Sequence, residues 1–217
     1  QALTLGVKDY FQKTGFHDAV IGLSGGIDSA LVAAIACNAL GSDHVTGITM
    51  PSKYSSDHSI DDSEILAVNL GLNFERISIE DLNTGFLNSL DPFFGNTDAG
   101  LAEENLQARI RGNILMAVAN KKNALVLNTG NKTETALGYC TMYGDMCGAL
   151  GVISDLNKLQ VYAVSKWINS HYRQGIIPEN TIMKPPSAEL RPNQVDPFDY
   201  DLISPLVDEI ITNNRHL

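Results

Sequence analysis

The chain has 217 residues, the length of one domain with at most a small appendage. Its composition, 44% hydrophobic and 18% charged, is ordinary globular composition and excludes collagen-like, disordered and disulfide-scaffold classes. The balance of 15 basic and 25 acidic residues gives a net charge of −10, which argues against general adhesion to nucleic-acid phosphates but leaves room for one phosphorylated small molecule.

No apolar run approaches the roughly 20 residues of a membrane span, and no cationic, apolar stretch opens the chain. Gln1, in place of an initiator Met, reads as an internal or trimmed start. Cys37, Cys140 and Cys147 are odd in number and form no C-x-x-C pair. Reduced thiols in a cytoplasmic protein fit that pattern.

In chain order, residues 2–13 have the apolar spacing of an amphipathic helix. Residues 18–23 (DAVIGL) form a short apolar strand, 24–29 a polar loop, and 30–40 a helix-forming run. A second strand over 44–50 (HVTGITM) is stopped by Pro51. Residues 57–70 return to helical period, with Asp61, Asp62 and Glu64 in the early turns, and 73–79 (NFERISI) alternate like a strand. Residues 91–100 read as a loop, 101–120 as a long helix and 124–128 (ALVLN) as a buried strand. A glycine-rich polar stretch over 129–153 precedes a helix over 158–171, and the proline-rich tail from Pro178 ends in a helical stretch over 202–213. Strands alternating with helices predict parallel βαβ units: an α/β fold, a doubly wound open parallel sheet with helices on both faces. Ligands of such sheets sit at the strands' carboxyl ends, where the polar loops after Leu23, Met50 and Asn128 fall.

The loop Ser24-Gly25-Gly26-Ile27-Asp28-Ser29 joins a strand to a helix. Its glycines permit close backbone approach, and a helix start supplies unpaired N–H groups for phosphate. Asp28 would repel phosphate unless a divalent cation stood between them. The loop is neither G-x-x-x-x-G-K-[ST] nor G-x-G-x-x-G, which disfavours P-loop NTPases and dinucleotide dehydrogenases. A plain Gly-Gly turn capped by Asp28 is the bland alternative, weakened by the flanking serines.

SGGIDS resembles the pyrophosphate-binding loop of the ATP pyrophosphatases, a superfamily that includes synthetases for NAD, GMP and asparagine and several tRNA-modifying enzymes. Five further stretches look like NAD synthetase and occur in that family's order: MPSKYSS (50–56), EENLQARIRGN (103–113), NTGNKTETALGYCTMYGD (128–145), SDLNKLQVY (154–162) and KPPSAELRP (184–192). The wording around NTGNKTE and GYCTMYGDM is closer to the glutamine-dependent branch, in which a glutaminase domain precedes the synthetase domain. The 217 residues leave no room for both, so a single synthetase domain is expected, with a glutaminase domain as a partner in a full-length protein.

The resemblance implies a Rossmann-like ATP pyrophosphatase fold and a reaction in which the nicotinate carboxylate of deamido-NAD is adenylated by ATP, with loss of pyrophosphate, before ammonia displaces AMP. It implies ATP contacts from Gly22, Leu23, Ser24, Gly25, Gly26, Ile27, Asp28 and Ser29, and from Thr129, Lys158 and Ser187. Asp28 and Glu134 would hold Mg²⁺, and Lys158 would neutralise phosphate as a compact point charge. Asn105, Arg109, Glu134 and Asp145 would hold deamido-NAD, and Asn105 and Arg109, four apart, share a helix face. Catalytic weight falls on Asp28, Glu134, Lys158 and Asp145.

Four of these residues have a structural alternative: Glu134 a solvated helix-start residue, Lys158 an ordinary lysine near a helix start, Asn105 and Arg109 an exposed polar face. The single-chain branch has a Lys and a second Asp where this chain has Met142 and Ala149, which weakens a detailed assignment of the nicotinate pocket. The family's basic closing segment has no counterpart in Asn213-Asn214-Arg215-His216. His17, His44, His58, His171 and His216 show no metal spacing, and Tyr139, Cys140 and Tyr143 read as packing residues. A homodimer or higher oligomer is expected, with apolar positions of the 101–120 helix to spare. The rival readings are another ATP pyrophosphatase such as an XMP aminase, a tRNA-modifying enzyme, which the acidic charge opposes, and a non-catalytic nucleotide-binding module.

Overall fold

The computed structural model describes residues 1–95, 97–172, 174–192 and 194–213. His216 and the rest of the 214–217 end discussed above lie outside the described residues. Five strands form the sheet: β1 (Asp18–Gly22), β2 (Val45–Thr49), β3 (Asn73–Arg76), β4 (Ala124–Asn128) and β5 (Leu150–Gly151). They lie in the order β3-β2-β1-β4-β5, and every pairing is parallel. The chain winds outward from β1 to β3 and then returns to build on its other side. This reversal puts the topological switch point between β1 and β4.

Alternation along the strands divides the core in two. Ala19 and Ile21 of β1, Val45 of β2 and Leu127 of β4 face a cluster built with α1 (Ala2–Thr14), α2 (Ile27–Leu40), α3 (Asp57–Leu70) and α7 (Lys158–His171). Val20, Ile48 and Val126 face the opposite way, onto Ile110, Leu115 and Ala119 of α5 (Leu101–Lys122). Residues 29–36 of α2 are all buried, because α1 packs on one side of that helix and α7 on another. The alternating pattern in the sequence thus produces a two-faced sheet.

Several boundaries differ from expectation. α2 begins three residues early, inside the polar loop, so Asp28 and Ser29 belong to its first turn. Residues 91–94 are not loop but the end of α4 (Glu80–Phe94), a helix that runs on through Pro92. The strand expected over 73–79 ends at Arg76, and the 202–213 stretch divides into α9 (Tyr200–Val207) and a π-helical turn, Asp208–Thr212. The polar stretch 129–153 contains a short helix, α6 (Lys132–Leu137), and another, α8 (Glu179–Met183), opens the tail. The apolar surplus of the 101–120 helix is largely used internally: Ile110 and Leu115 are buried, with Leu106, Ile114 and Val118 packed beside them.

Candidate functional site

At the carboxyl end of the sheet the loops after β1, β2 and β4 enclose a cavity of about 520 Å³. Its phosphate-sized floor is made by the start of α2. Gly26 precedes that helix in extended backbone, and among the described residues no side chain caps it, which leaves its first-turn amides free for a ligand. Ser24 Oγ accepts from Gly26 N at 3.2 Å, and Ser29 Oγ donates to Gly26 O at 3.0 Å, which holds the loop's shape. Gly25 has φ 72°, and a Cβ there would stand 2.3 Å from Ser59 O of α3. Only glycine fits that position.

Two helix starts face this floor, and both carry the same signature, Asn-Lys-x-Glu/Gln. In α6, Asn131 Oδ1 accepts from Glu134 N at 3.0 Å while Glu134 Oε2 accepts from Asn131 N at 3.3 Å. In α7, Asn157 and Gln160 form the same reciprocal box. The first box aims the other Glu134 oxygen, and the second aims Lys158, at one point. Lys158 Nζ lies 2.6 Å from Asp28 Oδ2 and 3.0 Å from Glu134 Oε1. Asn131 Nδ2 donates to the remaining Asp28 oxygen at 2.8 Å.

The lysine side chain is 3% exposed and the two carboxylates 17% and 19%, so the ion triad stands in low dielectric. Burial, helped by the Asp28 charge and opposed by Lys158, lifts Glu134 from its ordinary value near 4.5 to about 7. For Lys158, burial pulls downward but the Asp28 and Glu134 charges outweigh it, and the ammonium is held above its ordinary value. The Tyr200 ring lies under the ammonium, 5.3 Å from Nζ to centroid.

Another part of the cavity lining is different. Asp145 lines it and accepts from Thr141 N at 2.7 Å. Burial raises the Asp145 carboxyl, against the lowering by its Thr141 bonds. Asn105 and Arg109 do not line the cavity: Asn105 Oδ1 accepts from Thr141 Oγ1 at 2.8 Å, and the exposed Arg109 donates Nε to Met142 O at 3.2 Å. They brace the loop that presents Asp145. That loop sits tightly on α5, where a Cβ on Gly112 would lie 2.9 Å from Gly144 O.

Residues 22–24 and 26–29, with Thr129, Glu134, Asp145, Lys158 and Ser187, all line this cavity, and Gly25 turns away from it toward α3. Residues 1–216 match the NAD synthase family. This chain belongs to it. It is 53% identical over 218 residues to the glutamine-dependent NAD(+) synthetase of Synechocystis, covering 99% of this chain but 39% of that protein. It superimposes on the glutamine-dependent NAD+ synthetase of Acinetobacter baumannii, solved with ADP, at TM-score 0.83 and 39% identity, over 98% of this chain and 38% of that one. The NMN synthetase of Francisella tularensis matches at TM-score 0.86 and 28% identity, over all of this chain and 85% of that one. The chain therefore spans about two fifths of the glutamine-dependent relatives it matches.

Several residues of this NAD synthase chain outside the expected set also build the site. Asn131 joins Asp28 to α6, Arg111 lines the cavity and donates Nε to Met50 O at 3.0 Å, and Tyr200 backs Lys158. The capping box N-x-x-E was visible as a local signal for Asn131; Tyr200 had none. Tyr139 and Cys140, expected to be packing residues, line the cavity, whereas Tyr143 is 79% exposed and does not. Among the described residues no group of three His, Cys, Asp or Glu side chains could hold a metal, and no helix is long and apolar enough to cross a membrane.

Proposed function

We propose that this chain is the synthetase portion of a glutamine-dependent NAD synthetase and amidates deamido-NAD with ammonia, driven by ATP. The observation that carries the reading is the Asp28–Lys158–Glu134 triad at the start of α2, inside a cavity that Asp145 also lines. The first-turn amides of α2 and the hydroxyls of Ser24 and Ser29 bind phosphate. Lys158, kept protonated by its two carboxylates, presents positive charge where pyrophosphate gains negative charge as it leaves. A carboxylate oxygen of the nicotinate attacks the α-phosphorus, and the bond from that phosphorus to the pyrophosphate oxygen breaks. Ammonia then adds to the carbonyl carbon and the bond to AMP breaks, giving the amide, AMP and one proton. The enclosing loops keep water from the mixed anhydride.

Mg²⁺ fits the donor set: two hard carboxylates that share one ammonium match its habit of taking one or two carboxylates together with phosphate oxygens. Asp28 and Glu134 would hold it, and it would supply screening of the phosphate charge. Asn105 and Arg109 contact deamido-NAD from the braced rim, with Thr129 and Ser187 on the ATP side. The proposed partners are a glutaminase domain that delivers the ammonia and a second copy of the chain. The dimer reading is supported by apolar side chains exposed on neighbouring helices, Leu82, Phe86 and Phe93 on α4 and Leu101 and Met116 on α5. A monomer by sedimentation at every concentration would remove it. Free thiols and the lack of a spanning helix among the described residues support a cytoplasmic location.

The test is release of pyrophosphate and AMP from ATP and Mg²⁺ with ammonium, comparing deamido-NAD, a nicotinate mononucleotide and XMP as acceptors. Deamido-NAD should react, and Asp28→Asn should lower the rate by about 100-fold or more with the fold intact by circular dichroism. Turnover of XMP alone, or no pyrophosphate with any acceptor, would overturn the reading. Glutamine without ammonium should give no NAD.

A further inference from the structure

The segment after α8 places Lys184, Ser187 and Glu189 in the lining of the cavity. Ser187 Oγ shapes a turn there, donating to Gln194 O at 2.6 Å and accepting from Glu189 N at 3.1 Å. Glu189 stands in the left-handed region at φ 49°, an uncommon backbone state for a residue with a Cβ. Its carboxylate reaches the first turn of α3, where it accepts from Ser56 N at 3.2 Å and Ser59 Oγ at 2.6 Å, with Ser56 Oγ 3.0 Å away. Lys184 Nζ donates to the same Ser59 Oγ at 3.0 Å.

Ser59 also carries the backbone against which Gly25 of the phosphate loop is packed. A carboxylate at a helix start, bonded by an amide and hydroxyls, is a strong anchor. We propose that Glu189 is a positioning residue: it latches residues 184–190 to the start of α3, so that this segment and the phosphate loop form one wall of the nucleotide site. The proposal rests on the ATP-binding reading above. The latch offsets the unfavourable φ of Glu189, and it sets where Lys184 and Ser187 stand relative to the phosphates.

Two measurements on Glu189→Ala, Glu189→Gly, Glu189→Gln and Ser59→Ala test it: hydrogen–deuterium exchange over residues 184–190, and calorimetric titration with ATP and separately with deamido-NAD. Losing the carboxylate should speed exchange in that segment and weaken ATP binding about tenfold, the scale of one charge-assisted bond set. Deamido-NAD affinity should change less than about twofold, and KM for ATP should rise with little change in kcat. Glycine suits the backbone at φ 49°, yet Glu189→Gly should lose as much as alanine. The glutamine variant keeps a carbonyl acceptor and should fall between. Ser59→Ala combined with Glu189→Ala should be no weaker than Glu189→Ala alone.

Unaltered exchange and ATP affinity in Glu189→Ala would overturn the latch. So would equal losses of ATP affinity, deamido-NAD affinity and thermal midpoint, which mark a merely structural role. Wild-type protein that binds no ATP would overturn the nucleotide reading itself, and the positioning role with it.

Discussion

The two sides of the cavity are built on opposite plans. On the phosphate side, Lys158, Asp28, Glu134 and Asn131 bond one another, and Thr133 Oγ1 accepts from Lys158 N at 3.1 Å. Its charges are set by helix caps, so their positions follow from rigid elements. On the rim, Met142 is 62% and Tyr143 79% exposed, Tyr143 holds φ 63°, and Arg109 spends one donor on a backbone carbonyl. Charges that stabilise a leaving group must be in place before it forms, because reorganisation during the reaction raises the barrier. Groups that grip a substrate can instead be completed by the substrate, or by a second subunit.

Removing the centre of the phosphate side gives the largest effect. Lys158→Met leaves two largely covered carboxylates facing each other without their buried cation, and should lower unfolding stability by about 3 kcal/mol, as expected when one partner of a buried pair is lost. Urea denaturation measures it. A midpoint within error of the wild type would mean that the triad is not the rigid, prearranged unit contrasted here with the rim.

A smaller effect appears with pH. Glu134 is raised from near 4.5 to about 7, so between those values the folded state holds a proton that the unfolded chain has released. The stability this provides is complete below about pH 4.5 and is lost as pH rises through about 7. Lys158, held above its ordinary value, loses its own contribution only at strongly alkaline pH and does not confuse the window. Glu134→Gln should flatten the wild-type slope across that range, and an unchanged slope would assign the titration elsewhere. Mg²⁺ with ATP should displace the proton and shift the transition to lower pH.

The rim should give the smallest change in stability and a selective change in binding. Arg109→Glu is expected to weaken deamido-NAD about tenfold by losing one charge-assisted contact, with ATP affinity nearly unchanged and the thermal midpoint close to that of the wild type. Equal losses for both ligands would erase the division between the two sides.

Local signals in the sequence reached far into this fold. The α/β class and the strand over 124–128 follow from patterns a few residues long, as do the helices over 57–70 and 158–171. The phosphate loop was legible because its glycines and serines act on their own backbone. Glu134 and Lys158 stood out within motifs, and the N-x-x-E and N-x-x-Q spacings that cap their helices are local as well. The end of α4 was not legible, because Pro92 and the Gly, Asn and Asp residues after it are turn formers, whereas the helix packs on α5 and runs on to Phe94.

What the sequence by itself determined is which short segments curl, extend or turn, since these depend on neighbours within a turn or two of chain. Only the tertiary structure decided that Asp28 meets Lys158 across 130 positions, that Glu189 reaches Ser59 across another 130, and that Arg109 braces a loop without lining the cavity. Those meetings depend on the strand order around β1 and β4. Order and register are fixed by burying two apolar faces at once, a condition on the whole chain that no local pattern contains.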